Sequence, residues 1–381
     1  MTAPRRQAED RLRLTRLARG LSQGDLARTA GVTRQAISGI ESGRWSPSLE
    51  VALALATALD STVEELFGAP SDAPSVRSRL AVVADPAYAK EGDCGRLTLA
   101  DVAGDAVAFP LCGDHTMIPG FAPALAMGPI HVDGENGFGP RPRGARSRDI
   151  EARPLATSTP TLAIAGCDPA LALLAGPLQR HDPPVNLAWW STPNNVAGDL
   201  LESGAVHAAA IHRSVDTRPR RRPGIEVIGF ASWREGLAFH ARHRGKIKDL
   251  SDVAALGLRI ANRQEGSEAR HLLESELSRL KLDPSKINGF QSEVSGHLLV
   301  ASAISCGLAD AGVTCEPAAL TYGLEFIPWQ HEQSELHIPR SLVGSLEVRA
   351  LLDVLAGREL PAQLSALEGY DPDSCGRILA A

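Results

Sequence analysis

The segment Gln23–Gly43, QGDLARTAGVTRQAISGIESG, constrains the chain more than any other stretch. Its apolar residues recur at helical spacing on both sides of Gly31. Ile37 and Ile40, three apart, share one helix face and can pack back on a preceding helix. Ala27 is small where two helices approach most closely. Gly31 has no Cβ and accepts the positive φ of a tight turn. Thr33 stands where its hydroxyl can cap the free N–H groups of a second helix. The pattern predicts two short helices held at a fixed angle, a helix-turn-helix. Residues 1–67 read as helix after helix with no strand-like run, and the first domain is expected to span 1–68.

Charge separates this head from the rest. Residues 1–48 hold nine arginines and four acidic residues, a net +5, whereas the whole chain carries −6, so the remainder carries −11. A basic head on an acidic body points to a polyanionic partner at one end only.

The run LSQGDLARTAGVTRQAISGIESGRWSPSLEVALALATAL, within residues 10–67, resembles the XRE family, the Cro/phage-repressor type of helix-turn-helix. The resemblance implies a DNA-binding module whose second helix lies in the major groove of operator DNA. Carried over by position, Arg34, Gln35 and Ser38 would face base edges, and Gln23, Thr33 and Arg44 would hold phosphates. Trp45 and Pro47 would shape the following turn. Val51, Leu55, Leu59, Val63 and Leu66 would close the small core.

Beyond a Gly/Pro/Ser break at 68–72, the pattern changes. Residues 69–155 carry short apolar runs divided by Gly and Pro, which predicts a small β-rich connector with a mobile loop near 134–150. From 156 to 381, strand candidates (TLAIAGC, VNLAWW, AVHAAAIH, IEVIGF, GLRIAN, ADAGVTC, LEFIPW) alternate with helical segments, which predicts an α/β domain with largely parallel sheets. IEVIGFASWREGLAF, near 225–239, reads as a crossing between two lobes, and VTCEPAALTYGLEFIP as the return. Four strands run into helix starts rich in small polar residues: Cys167-Asp168, Ser191-Thr192 with Asn194-Asn195, Gly266-Ser267, and Ser295 before His297. Helix N-termini at strand ends suit a small anion. Arg263 and Arg270 would add positive charge, and Trp233 is a candidate platform. Each Ser or Asn also has the plainer role of a cap, Arg270 that of an ion pair, and the tryptophans that of core.

The pieces AGCDPALALLAG, SWREGLAF, GLRIANRQEGSEAR, EVSGHLLVASAISCGLADAG and ALEGYDPDSCG resemble the periplasmic-type (type II) two-lobed substrate-binding fold, in the molybdate-binding-like branch fused to helix-turn-helix regulators. The resemblance implies a bound oxyanion effector, molybdate or tungstate, and no other cofactor. The arginines and Asp168 depart from the neutral donors that usually hold molybdate. A zwitterionic or nucleotide-like metabolite, or a protein partner, is therefore the alternative.

Cys94, Cys112, His115 and His131 contain one tight metal-ligand pair, Cys112-Gly-Asp-His115, where a closed zinc site shows two, so no metal is expected. No nucleophile elbow, P-loop or dinucleotide glycine motif occurs, and Cys167 shows no partner base, so no enzyme is expected. The charged first residues lack the apolar core of a secretory leader, and no run of about 20 apolar residues occurs. The expectation is a cytoplasmic, homodimeric, ligand-responsive regulator.

Overall fold

The computed structural model describes residues 12–13, 15–17, 19, 21–42, 44–67, 75–83, 95–111, 123–126, 139–140, 149–155, 159–218 and 222–380. The chain divides into two compact units, Met1–Ser75 with Pro154–Ala156, and Val76–Arg153 with Thr157–Ala381.

The first unit is helical. A helical stretch at residues 12–13 and 15–17 precedes α1 (Gln23–Thr29), α2 (Arg34–Glu41), α3 (Leu49–Ala58) and α4 (Val63–Phe67). Local chemistry sets the starts. Ser22 accepts from the Asp25 N–H, and Asp25 accepts in return from the Ser22 N–H at 3.1 Å, a capping box. Thr33 caps α2 through the Ala36 N–H at 3.1 Å, and Ser48 caps α3. Gly31 turns the chain with φ +67°. Leu12, Leu26, Ala27, Ile37, Ile40, Leu55, Leu59 and Leu66 are buried together, with Val51 and Val63 packed at the edge. Each fully buried leucine contributes about 1.5–3 kcal/mol. Inside this shell the Arg16 guanidinium meets Glu41 at 2.6 and 3.1 Å, and the Gln23 amide donates to the same carboxylate at 2.8 Å.

The second unit opens with seven strands: β1 (Val76–Leu80), β2 (Val82–Val83), β3 (Arg96–Val102), β4 (Asp105–Pro110), β5 (Pro123–Ala126), β6 (Gly139–Pro140) and β7 (Asp149–Pro154). Five close into a barrel in the order β1-β4-β3-β5-β7, and β2 pairs with β6. Ala103 and Gly104, both at positive φ, make the two-residue turn between β3 and β4. The barrel is not a free-standing spacer. Its Ala81, Ala100, Val102, Val107 and Phe109 belong to the same hydrophobic core as the strands that follow, with Phe109 5.7 Å from the Trp190 ring. Arg79 also donates to the carbonyls of Ser203 and Gly204 at 2.9 and 2.8 Å. The expected mobile loop near 134–150, apart from 139–140 and 149–150, and Cys94, Cys112, His115 and His131 lie outside the described residues.

The rest of the unit is one large sheet with helices on its faces. Its strands are β8 (Thr161–Ala165), β9 (Asn186–Trp190), β10 (Ala208–Ser214), β11 (Ile225–Phe239), β12 (Ile260–Arg263), β13 (Glu293–Val294), β14 (Ala311–Cys315), β15 (Glu325–Pro339) and β16 (Ile378–Ala380). The order is β13-β12-β14-β11-β15-β10-β8-β9, with β16 on β11. The helices are a 3-10 turn at Pro169–Leu174, α5 (Ala175–Gln179), α6 (Asn194–Glu202), α7 (Leu250–Ala255), α8 (Glu268–Arg279), α9 (His297–Ser305), α10 (Glu316–Thr321), α11 (Leu346–Ala356) and α12 (Glu359–Ser365).

β8, β9 and β10 form the parallel floor of one lobe, and β12, β13 and β14 that of the other. The sheet is mixed where a largely parallel one was expected. The crossing strands β11 and β15 pair antiparallel from Ile225↔Pro339 to Phe239↔Glu325, with irregularities at Gly229/Ala231 and Glu235/Gly236. The return is β15 alone; the VTC that begins the expected return segment is the end of β14. One core lies under the first lobe and two under the second. Among the described residues no helix is long and apolar enough to cross a membrane.

Candidate functional site

In the helical unit, burying Ile37, Gly39 and Ile40 turns the opposite face of α2 outward. Thr33, Arg34 and Gln35 are exposed and Ser38 is half-buried. Thr33 carries its cap as well. Gln23, expected on a phosphate, spends its amide on Glu41, and Arg44 donates from Nε to Ser42 Oγ at 3.0 Å. Trp45 lies across Gly39, where a Cβ would stand 2.5 Å from the indole, so only glycine allows that turn to pack.

In the second unit, the strand ends of the two lobes meet around a buried polar cluster. Cys167, His212, Trp233, Glu235, Arg263, His297 and Glu332 are each at most 6% exposed. Cys167 follows β8, His212 lies on β10, Arg263 ends β12 and His297 opens α9. Trp233, Glu235 and Glu332 come from the middles of the crossing strands. The lobes touch over the cluster: a Cβ at Gly266 would stand 3.1 Å from the Asn195 amide, and one at Gly296 3.9 Å from Ser191 Oγ.

Hydrogen bonding fixes the protons. Glu332 meets His212 Nδ1 at 2.9 Å. Burial alone would strip His212 of its proton, but the Cys167 sulfur, Glu332 and Glu235 outweigh it and hold the imidazole protonated well above its ordinary range. His297 is the opposite case. Burial, then Arg263 and His212, hold it well below the ordinary range, so it is neutral. Its Nδ1 accepts the Cys315 N–H at 3.2 Å, and therefore Nε2 carries the proton. Burial pushes the Glu235 carboxyl up to about 7; Glu332 adds to this, whereas His212 and Arg263 oppose it.

Three atoms of this cluster are buried with no hydrogen-bond partner: Arg263 Nη1, His297 Nε2 and Glu235 Oε1. An unmet buried group costs about 1–3 kcal/mol, so a cluster that leaves three is prepared for something else. Two sets of ligand atoms lie within 4.8 Å of one another, Cys167 with His212 and His297, and His212 with Glu235 and Glu332. In the first set the Cys315 N–H already occupies the His297 Nδ1 lone pair, so the nitrogen left to face an ion, Nε2, bears a hydrogen. The fold also gives Cys167 the imidazole neighbour that the sequence reading lacked.

The other expected contacts are engaged elsewhere. Asp168 accepts from the Ala170 N–H at 3.0 Å, Tyr370 OH at 2.7 Å and Trp233 Nε1 at 3.4 Å, which makes it a buried cap. Arg270 is spent on Glu274 at 3.0 Å and Glu293 at 2.6 Å, with its guanidinium 5.2 Å from the centre of the Phe290 ring. Ser267 caps α8. Asn194 clamps the His212 backbone through both its amide groups, at 2.7 and 3.1 Å. Thr192 is buried, whereas Asn195 and Ser295 are exposed. His212, Glu235 and Glu332 escaped the sequence reading. For His212 and Glu235 the available signal was a titratable residue within a mostly apolar strand; Glu332 lies in the polar run QHEQSE, which carried none.

Comparison with known proteins agrees with both units. A helix-turn-helix family model matches residues 12–66, and a PBP superfamily domain model matches residues 175–356. The Bacillus subtilis protein YvgK is 28% identical over 178 residues, 47% of this chain and 56% of its own length, so the chain spans just over half of that relative. A Clostridium pasteurianum protein from a ferredoxin gene 5′ region is 32% identical over 109 residues, 28% of this chain and 96% of its own length. An HTH-type transcriptional regulator of Methanothermobacter thermautotrophicus is 49% identical over 49 residues, 13% of this chain and 71% of its own length. With its exposed, capped second helix and its two-lobed sheet, the chain belongs to the XRE-type helix-turn-helix transcriptional regulators and carries a C-terminal domain of the PBP superfamily.

Proposed function

We propose that this regulator is ligand-responsive: the head reads an operator and the two-lobed domain closes on a small anionic or polar molecule. The observation that carries the reading is the pair of buried, unpartnered donors, Arg263 Nη1 and His297 Nε2, between touching lobes. Donors in a closed, low-dielectric site need acceptors, and no group of the described chain meets these two. Arg263, His297, Cys167 and Trp233 line the ligand. Asp168, Asn194, Ser267 and Arg270 hold the walls. The resemblance to molybdate-binding-like domains places molybdate and tungstate first among tetrahedral anions to be tried.

On DNA, Arg34 and Gln35 reach base edges, with Ser38 beside them, and Thr33 and Arg44 stand near phosphates. A homodimer sets two recognition helices about 34 Å apart on a pseudo-palindromic site. Ligand acts by binding one lobe arrangement more tightly than the other, since equal affinity shifts nothing. The test is operator affinity of the full chain, on DNA selected from a random pool, with and without a low-molecular-weight cell extract. A changed affinity supports the reading, and an unchanged one removes it.

A further inference from the structure

The cluster asks for more than an anion. Arg263 Nη1 and His297 Nε2–H are donors, but Glu235 Oε1, equally buried and unpartnered, is a carboxyl oxygen. It lies 3.9 Å from His297 Nδ1, within the same cluster. Molybdate, tungstate and sulfate are fully deprotonated at neutral pH and offer only acceptors. Such an anion would satisfy the two donors and bring no donor of its own to Glu235. Asp168 already accepts three hydrogen bonds, from Ala170, Tyr370 and Trp233, which leaves Glu235 Oε1 as the carboxyl oxygen of the cluster with no partner.

We infer that the ligand is a small carboxylic acid carrying its own proton donor, an amine or a hydroxyl, with its carboxylate on Arg263 and His297 and its donor on Glu235. This rests on the sensor reading above. One negative charge enters, and the donor turns Glu235 from a repulsive neighbour into a partner. The Trp233 ring, its centroid 5.0 Å from that of His212 and 5.6 Å from that of His297, offers an apolar face for a short carbon skeleton. Burial, which keeps Glu235 near its midpoint at neutral pH, lets it meet either an ammonium as carboxylate or a hydroxyl in either state.

The experiment measures the melting temperature of the full chain near neutral pH with two sets of probes at about 1 mM, a concentration that reveals dissociation constants near 10 μM or tighter. One set is each common α-amino acid, glycolate, lactate and malate. The other is molybdate, tungstate and sulfate. We expect at least one organic acid to raise the melting temperature and no tetrahedral anion to do so. Glu235→Gln should weaken that acid at least about tenfold, the loss of one charge-assisted hydrogen bond, while the unliganded variant melts no lower than the parent.

A tetrahedral anion that stabilises the parent, with Glu235→Gln unaffected, overturns the inference and leaves the sensor reading standing. So does silence from both sets when the cell extract still changes operator affinity. An extract without effect removes the sensor reading itself.

Discussion

The two units bury polar groups in opposite ways. In the helical unit, Arg16, Glu41 and Gln23 form a closed set in which the carboxylate meets both neighbours, and Arg16 spends a third N–H on the Leu21 carbonyl at 2.7 Å. In the two-lobed unit, Arg263, His297 and Glu235 are buried as deeply and left incomplete. The first arrangement fixes a shape, because every displacement breaks a bond. The second leaves buried groups whose lost hydration is not repaid by any group of the described chain. Buried charge by itself therefore says little about role; whether its hydrogen bonds are complete says a good deal.

The comparison breaks if the closed set proves dispensable. Arg16→Ala strands the Glu41 carboxylate in a protein interior, and we expect the helical unit to lose about 3 kcal/mol, read as a lower melting transition of the full chain. An unchanged transition would mean that the pair does not fix the head.

Glu235→Gln should act in the other direction on the unliganded protein. Folded Glu235 keeps its proton until about pH 7, whereas an unfolded glutamate releases it near 4.5. Between those values the folded state binds more protons, so stability falls as pH rises through the window. The amide avoids that loss. The variant should match the parent below pH 4.5 and exceed it by about 3 kcal/mol at pH 8, measured by urea unfolding at several pH values. A gap that is constant with pH would sever the link to ionisation.

A smaller effect sharpens the division of labour. Arg34→Ala or Gln35→Ala should cost about 1–3 kcal/mol on the selected operator and relax preference at the bases read. Stabilisation by ligand should not change, since these side chains stand on the exposed face of α2 in a separate compact unit. Loss of both functions together would refute the modular picture.

The head was legible because its determinants are local. Ser22, Thr33 and Gly31 act within a few residues of themselves, and caps and turns follow from chemistry at short range. At the sensor, Arg263 and His297 could be found because they sit at strand ends before helices, where binding residues collect. His212, Glu235 and Glu332 could not. A charged residue inside a strand ordinarily reads as its solvent face, whereas these three strands carry theirs on faces that tertiary packing buries, at 5%, 1% and 1% exposed. The barrel's shared core was hidden for a related reason: Phe109 and Trp190 are far apart in sequence and meet only through tertiary packing.

The crossing strands have one more consequence. β11 and β15 run from one lobe to the other, paired along fourteen of their fifteen residues each, so the lobes are joined by a leaf spring rather than by loops. A leaf spring flexes where it is weakest, and one of the two ladder irregularities falls between Glu235 and Gly236. At Gly236 a Cβ would come within 2.1 Å of the Ile327 carbonyl, so nothing larger than glycine fits the kink. The residue that lacks a partner is thus also the residue at the flexure. A molecule bound to Glu235 would therefore act directly on the strand pair that joins the lobes, beside its ladder irregularity.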